Sequence, residues 1–205
     1  MLLSAYSQGI FPWFSAEDPV LWWSPDPRFV VFPGEVHAPA RMKRILRQGR
    51  FSFRLDTSFR EVITACAQAP RPGQGGTWIT PGMIEAYCRM HELGYAHCVE
   101  AWADGKLAGG LYGISLGRIF FGESMFSRVS NASKAAFLFL AEFLPSRDCE
   151  LIDSQVRTPH VASLGGRDIP REEYLAHLRR LLKYDTFKGA WSTSEGFCKG
   201  NEEWK

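Results

Sequence analysis

Asp153 and Gln155, in the string Leu151-Ile-Asp-Ser-Gln-Val156, pair a carboxylate with a carboxamide two residues apart. On a strand, residues i and i+2 point to one face. A carboxylate there can orient the carboxamide, and the carboxamide can accept a hydrogen bond from an incoming amine. The same two side chains at a strand end can instead satisfy loop backbone, and the spacing alone leaves both readings open. Glu123, between Phe121 and Arg128, is the best candidate for holding a cation. Its alternative is a buried glutamate paired with Arg128 or Lys134. A third group is basic: Arg41, Lys43, Arg44, Arg47, Arg50 and Arg54 follow one another with no acidic residue between them. Positions 40, 43, 44 and 47 fall at helical spacing, so Lys43, Arg44 and Arg47 can share a face and meet a phosphate backbone. A solvated basic helix is the plainer reading.

The elements that would position these residues form a short N-terminal segment followed by one mixed α/β domain. Residues 1 to 28 carry Pro12, Pro19, Pro25 and Pro27, which break any long element and leave turns and one helix. Beyond them we expect strands at Phe29–Phe32 and Phe51–Leu55, and helices over 39–48 and 57–68, the second opened by Thr57 or Ser58. Ala69 to Gly76 reads as a proline and glycine loop. Thr80-Pro81 should start a helix that Gly94 ends. A meander follows: Ala96 to Ala103, an Asp104-Gly105 hairpin, Lys106 to Ser115, and a third strand from Gly117 through Met125. Asn131 to Leu144 reads as a buried helix, Leu151 to Val156 as a strand and Pro170 to Leu182 as an amphipathic helix.

Composition narrows the class. With 205 residues, 45% of them hydrophobic, the chain can bury one main core. No apolar run approaches the roughly 20 residues a bilayer needs, and the start lacks the basic and apolar regions of a secretory signal. A soluble cytoplasmic protein is therefore expected. Five cysteines, an odd number without CxxC spacing, argue against a disulfide framework or a zinc cluster, and read as reduced structural thiols. The net charge of +2 does not by itself declare a nucleic-acid partner.

The order of helices, antiparallel meander, long helix, strand and helix is that of acetyltransferase-type (GNAT-like) domains, an α+β class with a mostly antiparallel central sheet. More specific are the strings GIFPWFS (Gly9–Ser15), LWWSPDPR (Leu21–Arg28), TWIT (Thr77–Thr80), AYCRMHELGYAH (Ala86–His97), FGESMFSR (Phe121–Arg128), NASK (Asn131–Lys134), LIDSQV (Leu151–Val156) and HVASLGGRDIPREEYL (His160–Leu175). Together they closely resemble the leucyl/phenylalanyl-tRNA-protein transferases, from residue 2 to about 183. That resemblance implies a small N-terminal domain, here residues 1–28, beside a GNAT-like domain, here 29–205. It implies transfer of leucine, phenylalanine or methionine from aminoacyl-tRNA to an N-terminal Arg or Lys of another protein, marking it for degradation, by a monomer with no cofactor and no metal. It also implies a further stretch ahead of Leu2, so the N-terminal domain is expected to be incomplete. The tail from Lys183 matches nothing and receives no role.

The resemblance also distributes roles. Asp153 and Gln155 become the catalytic pair. Leu111, Met125, Leu140 and Leu144, by spacing ordinary core residues, become the pocket for the donor side chain. Trp13 and Trp78 become stacking surfaces for the terminal adenosine, and Tyr87 a hydrogen-bonding partner of the donor, or else a packing residue. Trp22 and Trp23 read either as a stacking surface or as a staple between domains. Arg41, Lys43, Arg44 and Arg47 become contacts to the tRNA backbone. The strand-to-helix join Phe126-Ser-Arg-Val-Ser-Asn-Ala-Ser-Lys134 lacks the glycine pair that cradles the coenzyme A pyrophosphate in acetyltransferases, leaving room for another acyl carrier. Aminolysis of an activated ester makes small demands on a base, because an N-terminal amine of pKa near 7.7 to 8.0 is about a tenth neutral at pH 7. Orientation, worth on the order of 7–11 kcal/mol, should dominate. A cell-wall (peptidoglycan-type) aminoacyltransferase, a coenzyme A acetyltransferase and a non-catalytic tRNA-binding module are the competing classes.

Overall fold

The computed structural model describes residues 1–15, 17–70 and 77–193. Leu2–Tyr6 (α1), Phe11–Pro12 (β1) and Trp22–Trp23 (β2) form the N-terminal lobe, with β1 and β2 paired antiparallel. Then come Arg28–Val31 (β3), Ala40–Arg47 (α2), Ser52–Leu55 (β4), Phe59–Gln68 (α3), Pro81–Glu92 (α4), Ala96–Ala103 (β5), Lys106–Leu116 (β6), Ile119–Ser127 (β7), Ala132–Phe143 (α5), Leu151–Asp153 (β8), Pro159–Ala162 (α6), Arg167–Ile169 (β9) and Arg171–Leu181 (α7). Seven strands form one sheet in the order β4-β5-β6-β7-β8-β3-β9. Every neighbouring pair is antiparallel except β7 and β8, which run parallel. The architecture is thus the α+β, mostly antiparallel one expected. No helix among the described residues is long and apolar enough to cross a membrane.

Strand residues alternate between two buried clusters. Val99, Leu111, Phe120 and Ile152 join the helices α2 and α5 on one face, while Cys98, Tyr112, Phe121 and Leu151 join α1, α3, α4 and α7 on the other. A sheet covered on both faces explains why its central strands read as nearly continuous apolar runs. Local signals set the meander. Asp104 and Gly105 both take positive φ (51 and 71), the turn that matches the strand twist. Gly113 sits at a register shift where a Cβ would lie 2.2 Å from the Phe121 carbonyl oxygen, so only glycine lets β6 and β7 approach there.

Ser58 stands at the N-cap of α3, as expected, but no side chain caps the first turn; instead the Glu100 carboxylate on β5 accepts from the Thr57 and Ser58 backbone amides at 2.7 Å. The last expected strand stops at Asp153 instead of Val156, because Gln155 turns into the left-handed region (φ 57). In the described part of the tail, through residue 193, Trp191 is buried, stacks on His97 at 3.9 Å and donates its backbone N–H to Asp56, which ties this segment to the sheet. Cys66, Cys88, Cys98 and Cys149 are buried and outside any disulfide, whereas Cys198 and most of the Pro/Gly loop (71–76) lie outside the described residues.

Candidate active site

Parallel strands need a crossover, and α5 supplies it between β7 and β8. Pairing between them covers only Ile119↔Leu151 through Phe121↔Asp153. Beyond that point β7 runs on to Ser127 while β8 has ended, so the two strands part. The gap is a cavity of about 880 Å³, lined by Glu123 and Met125 from β7 and by Ser154, Gln155 and Val156 from the chain after β8. Such a volume lies in the usual range for small-ligand sites.

The side chains reasoned from sequence distribute unevenly around this cavity. Leu111, Met125 and Leu140 line it, as do Trp13 and Trp78 at its mouth. Leu144 does not line it: the side chain is 1% exposed and belongs to the core behind α5. Trp13 is 39% exposed, enough to offer a face, and Trp23 donates its indole N–H to the Trp13 carbonyl oxygen at 2.7 Å while meeting the Trp13 ring edge-on. Trp23 therefore braces Trp13. On α2, Met42, Ile45 and Leu46 face the core, and Arg41, Arg44 and Arg47 stay exposed, with Lys43 at the margin. None of these four cations forms an ion pair among the described residues.

Asp153 is fully buried, and its carboxylate is already committed. Arg28 Nε and Nη2 donate to its two oxygens at 2.8 and 2.6 Å, the Tyr174 hydroxyl donates at 2.8 Å, and the Gln155 backbone N–H donates at 3.0 Å. The carboxylate thus fixes the backbone of residue 155. The Gln155 carboxamide meets a different acid, donating from Nε2 to Glu123 Oε1 at 3.5 Å. Sequence spacing placed both Asp153 and Gln155 on one strand face; the turn after Asp153 divides their tasks.

Glu123 pairs with neither Arg128 nor Lys134, and Arg128 instead reaches Glu61. Its partners are phenols: Tyr6 donates to Oε1 at 2.6 Å, Tyr87 donates to Oε2 at 2.7 Å, and the two phenol oxygens lie 2.6 Å apart. Burial pushes the carboxyl up to about 7; the Tyr6 and Tyr87 hydroxyls pull it down, Asp153 adds to the rise and Arg28 opposes it. Burial and the nearby Glu123 charge raise both phenols well above their ordinary value. Because the folded carboxyl binds its proton more tightly than a free one, the stability it contributes is complete below about pH 4.5 and is lost as pH rises through about 7. Glu123→Gln, which keeps the shape without the charge, should therefore be more stable than the parent at pH 8 and equal to it near pH 5. Urea midpoints at the two pH values check this, and a pH-independent difference would contradict it.

Three residues of this site escaped sequence reasoning: Tyr6, Arg28 and Tyr174. Arg28 was visible only as part of a motif string, beside the apolar run Phe29-Val-Val31, a hint that the strand is buried from its first residue.

The sequence family described as leucyl/phenylalanyl-tRNA protein transferase matches residues 30–179, and that described as its N-terminal domain matches residues 1–26. Proteins named leucyl/phenylalanyl-tRNA–protein transferase from Desulfatibacillum aliphaticivorans and from Azoarcus sp. (strain BH72) are 53% and 58% identical to the chain. Each alignment covers 93% of the chain, with 82% and 81% of the respective relative. Among solved structures, a GCN5-related N-acetyltransferase from Kribbella flavida aligns with a TM-score of 0.41 at 12% identity, over 78% of the chain and 56% of its own.

Proposed function

Because the chain belongs to the leucyl/phenylalanyl-tRNA protein transferase family, we propose that it moves leucine, phenylalanine or methionine from aminoacyl-tRNA to proteins whose first residue is Arg or Lys. The product would carry a destabilising N-terminus, and the reaction belongs in the cytoplasm, catalysed by a monomer. The observation that carries this reading is the parting of β7 and β8, which gathers Glu123, Gln155, an apolar wall and two tryptophans around one cavity.

In the reaction the acceptor's α-amine attacks the ester carbonyl, and the ester bond to the ribose breaks. One amine proton ends on the ribose oxygen. The Gln155 carboxamide, anchored through its backbone by Asp153 and through Nε2 by Glu123, presents its oxygen to the amine and holds it in line. Leu111, Met125 and Leu140 receive the donor side chain. Each methylene is worth about 1–3 kcal/mol in such a pocket, which favours large apolar donors without separating them sharply. Trp13 and Trp78 offer stacking faces to the terminal adenosine. The exposed cations Arg41, Arg44 and Arg47, with Lys43, approach the phosphates of the acceptor stem.

The deciding assay supplies Leu-tRNA or Phe-tRNA with peptides beginning Arg, Lys or Ala. Transfer to the Arg and Lys peptides at rates at least about tenfold above Ala is expected, since a paired charge contributes upwards of about 1.4 kcal/mol. Equal transfer to all three would end the acceptor assignment.

A further inference from the structure

We infer that Tyr6, Tyr87 and Glu123 form a closed ring of three hydrogen bonds carrying three protons, neutral in the empty enzyme, and that a cationic acceptor residue expels one of them on binding. Three oxygen pairs lie at 2.6, 2.6 and 2.7 Å, all hydrogen-bond distances. Two phenols carry two hydrogens. With Glu123 ionised, both point at the carboxylate and the 2.6 Å contact between phenol oxygens has none, setting two lone pairs against each other. A carboxyl hydrogen on Oε2 reverses the Tyr87 bond drawn for the ionised acid and completes the ring: protonated Glu123 donates to Tyr87, Tyr87 to Tyr6, and Tyr6 back to Glu123 Oε1.

The surroundings favour the same state. Tyr6 and Tyr87 are fully buried, and Tyr112 on β6 packs its ring 5.3 Å from that of Tyr87. Of the charges that face Glu123, Asp153 on β8 opposes ionisation and Arg28 on β3 supports it, but those two neutralise each other in a bidentate pair. Gln155 contributes an uncharged donor, and Tyr174 on α7 is turned to Asp153. Among the described residues, no unpaired cation faces Glu123 to hold it ionised. The acceptor's guanidinium or ammonium would be that cation, and its arrival makes the carboxylate form the stable one.

This rests on the reading that Glu123 receives the acceptor's first residue. Ionisation turns the two phenol contacts into charge-assisted bonds, stronger than those of the neutral ring. Removing either phenol should therefore raise the pH at which Glu123 ionises.

Infrared difference spectra of the full chain, without substrate, read the ring directly. At pH 6 a protonated-carboxyl band should be present, absent in Glu123→Gln, and should titrate away near pH 7. Tyr6→Phe and, as an independent variant, Tyr87→Phe should each raise that midpoint by about one pH unit. In steady-state transfer to an Arg-peptide, KM should rise about tenfold per unit as pH falls below the midpoint, with kcat little changed, because each unit of pH is a tenfold change in the ionised fraction. The same two variants should shift that limb upward. A carboxyl already ionised at pH 6, or a midpoint unmoved by both variants, overturns the ring. An Arg-peptide that is not an acceptor at all defeats the acceptor assignment while leaving the infrared result standing.

Discussion

Arg28→Met should lower stability by about 3–5 kcal/mol and abolish measurable transfer, the loss characteristic of a buried ion pair deprived of one partner. Arg28 and Asp153 are both fully buried, and four donors converge on the carboxylate, two of them from Arg28. Without the guanidinium, the buried carboxylate loses two of its four donors and the charge that offsets its own. For a chain of this length such a loss corresponds to roughly 10 °C or more in Tm. The stability loss alone would not separate structure from function, but the double replacement does. Arg28→Met with Asp153→Leu removes both charges and should recover most of the stability, since well-packed apolar residues commonly replace a buried pair without loss. Transfer should not recover, because the Gln155 backbone N–H has lost the carboxylate that fixes it. Thermal unfolding and single-turnover transfer, measured on Arg28→Met, Asp153→Leu and the double replacement, check the cycle. Recovery of transfer together with stability would show that the pair merely supports the fold.

That expectation could not have been written from the sequence, and the reason is physical. Local pattern identifies what local chemistry decides. The Asp104-Gly105 turn, the Thr80-Pro81 helix start and the helix expected over 39–48 each depend on residues within a few positions, and each stands where the sequence places it. Arg28 instead meets a carboxylate 125 positions away, and a long charged side chain is by default expected on the surface. Tyr6 is similarly remote from Glu123, by 117 positions. Leu140 and Leu144 are indistinguishable by helical spacing and both pack in the core, yet only Leu140, inside α5, also reaches the cavity wall, while Leu144 follows the helix end at Phe143. Gln155 shows the sharpest limit: strand alternation assumes the strand continues, and nothing in Leu151-Ile-Asp-Ser-Gln-Val156 announces a left-handed residue.

Gln155→Gly tests what that conformation is for. A non-glycine residue at φ 57 carries strain of about 1–2 kcal/mol. Glycine relieves it, but frees the unfolded chain by a comparable amount, so net stability should stay within about 1 kcal/mol of the parent. The backbone contacts that shape the turn remain available: the N–H still reaches Asp153, and the carbonyl still accepts from Phe29 at 3.2 Å. What disappears is the carboxamide between Glu123 and the cavity. Loss of one well-placed polar group at a reacting centre lowers kcat by about 10²–10³, and a decrease of that size is expected here with KM for the donor unchanged. Since strain retained at one residue has a use only if that side chain must point where it does, an unaltered Tm beside a collapsed kcat would tie the left-handed turn to orientation of the amine. A variant that folds well and transfers within tenfold of the parent would leave the turn without a catalytic purpose, and would move the task of orienting the amine to Glu123.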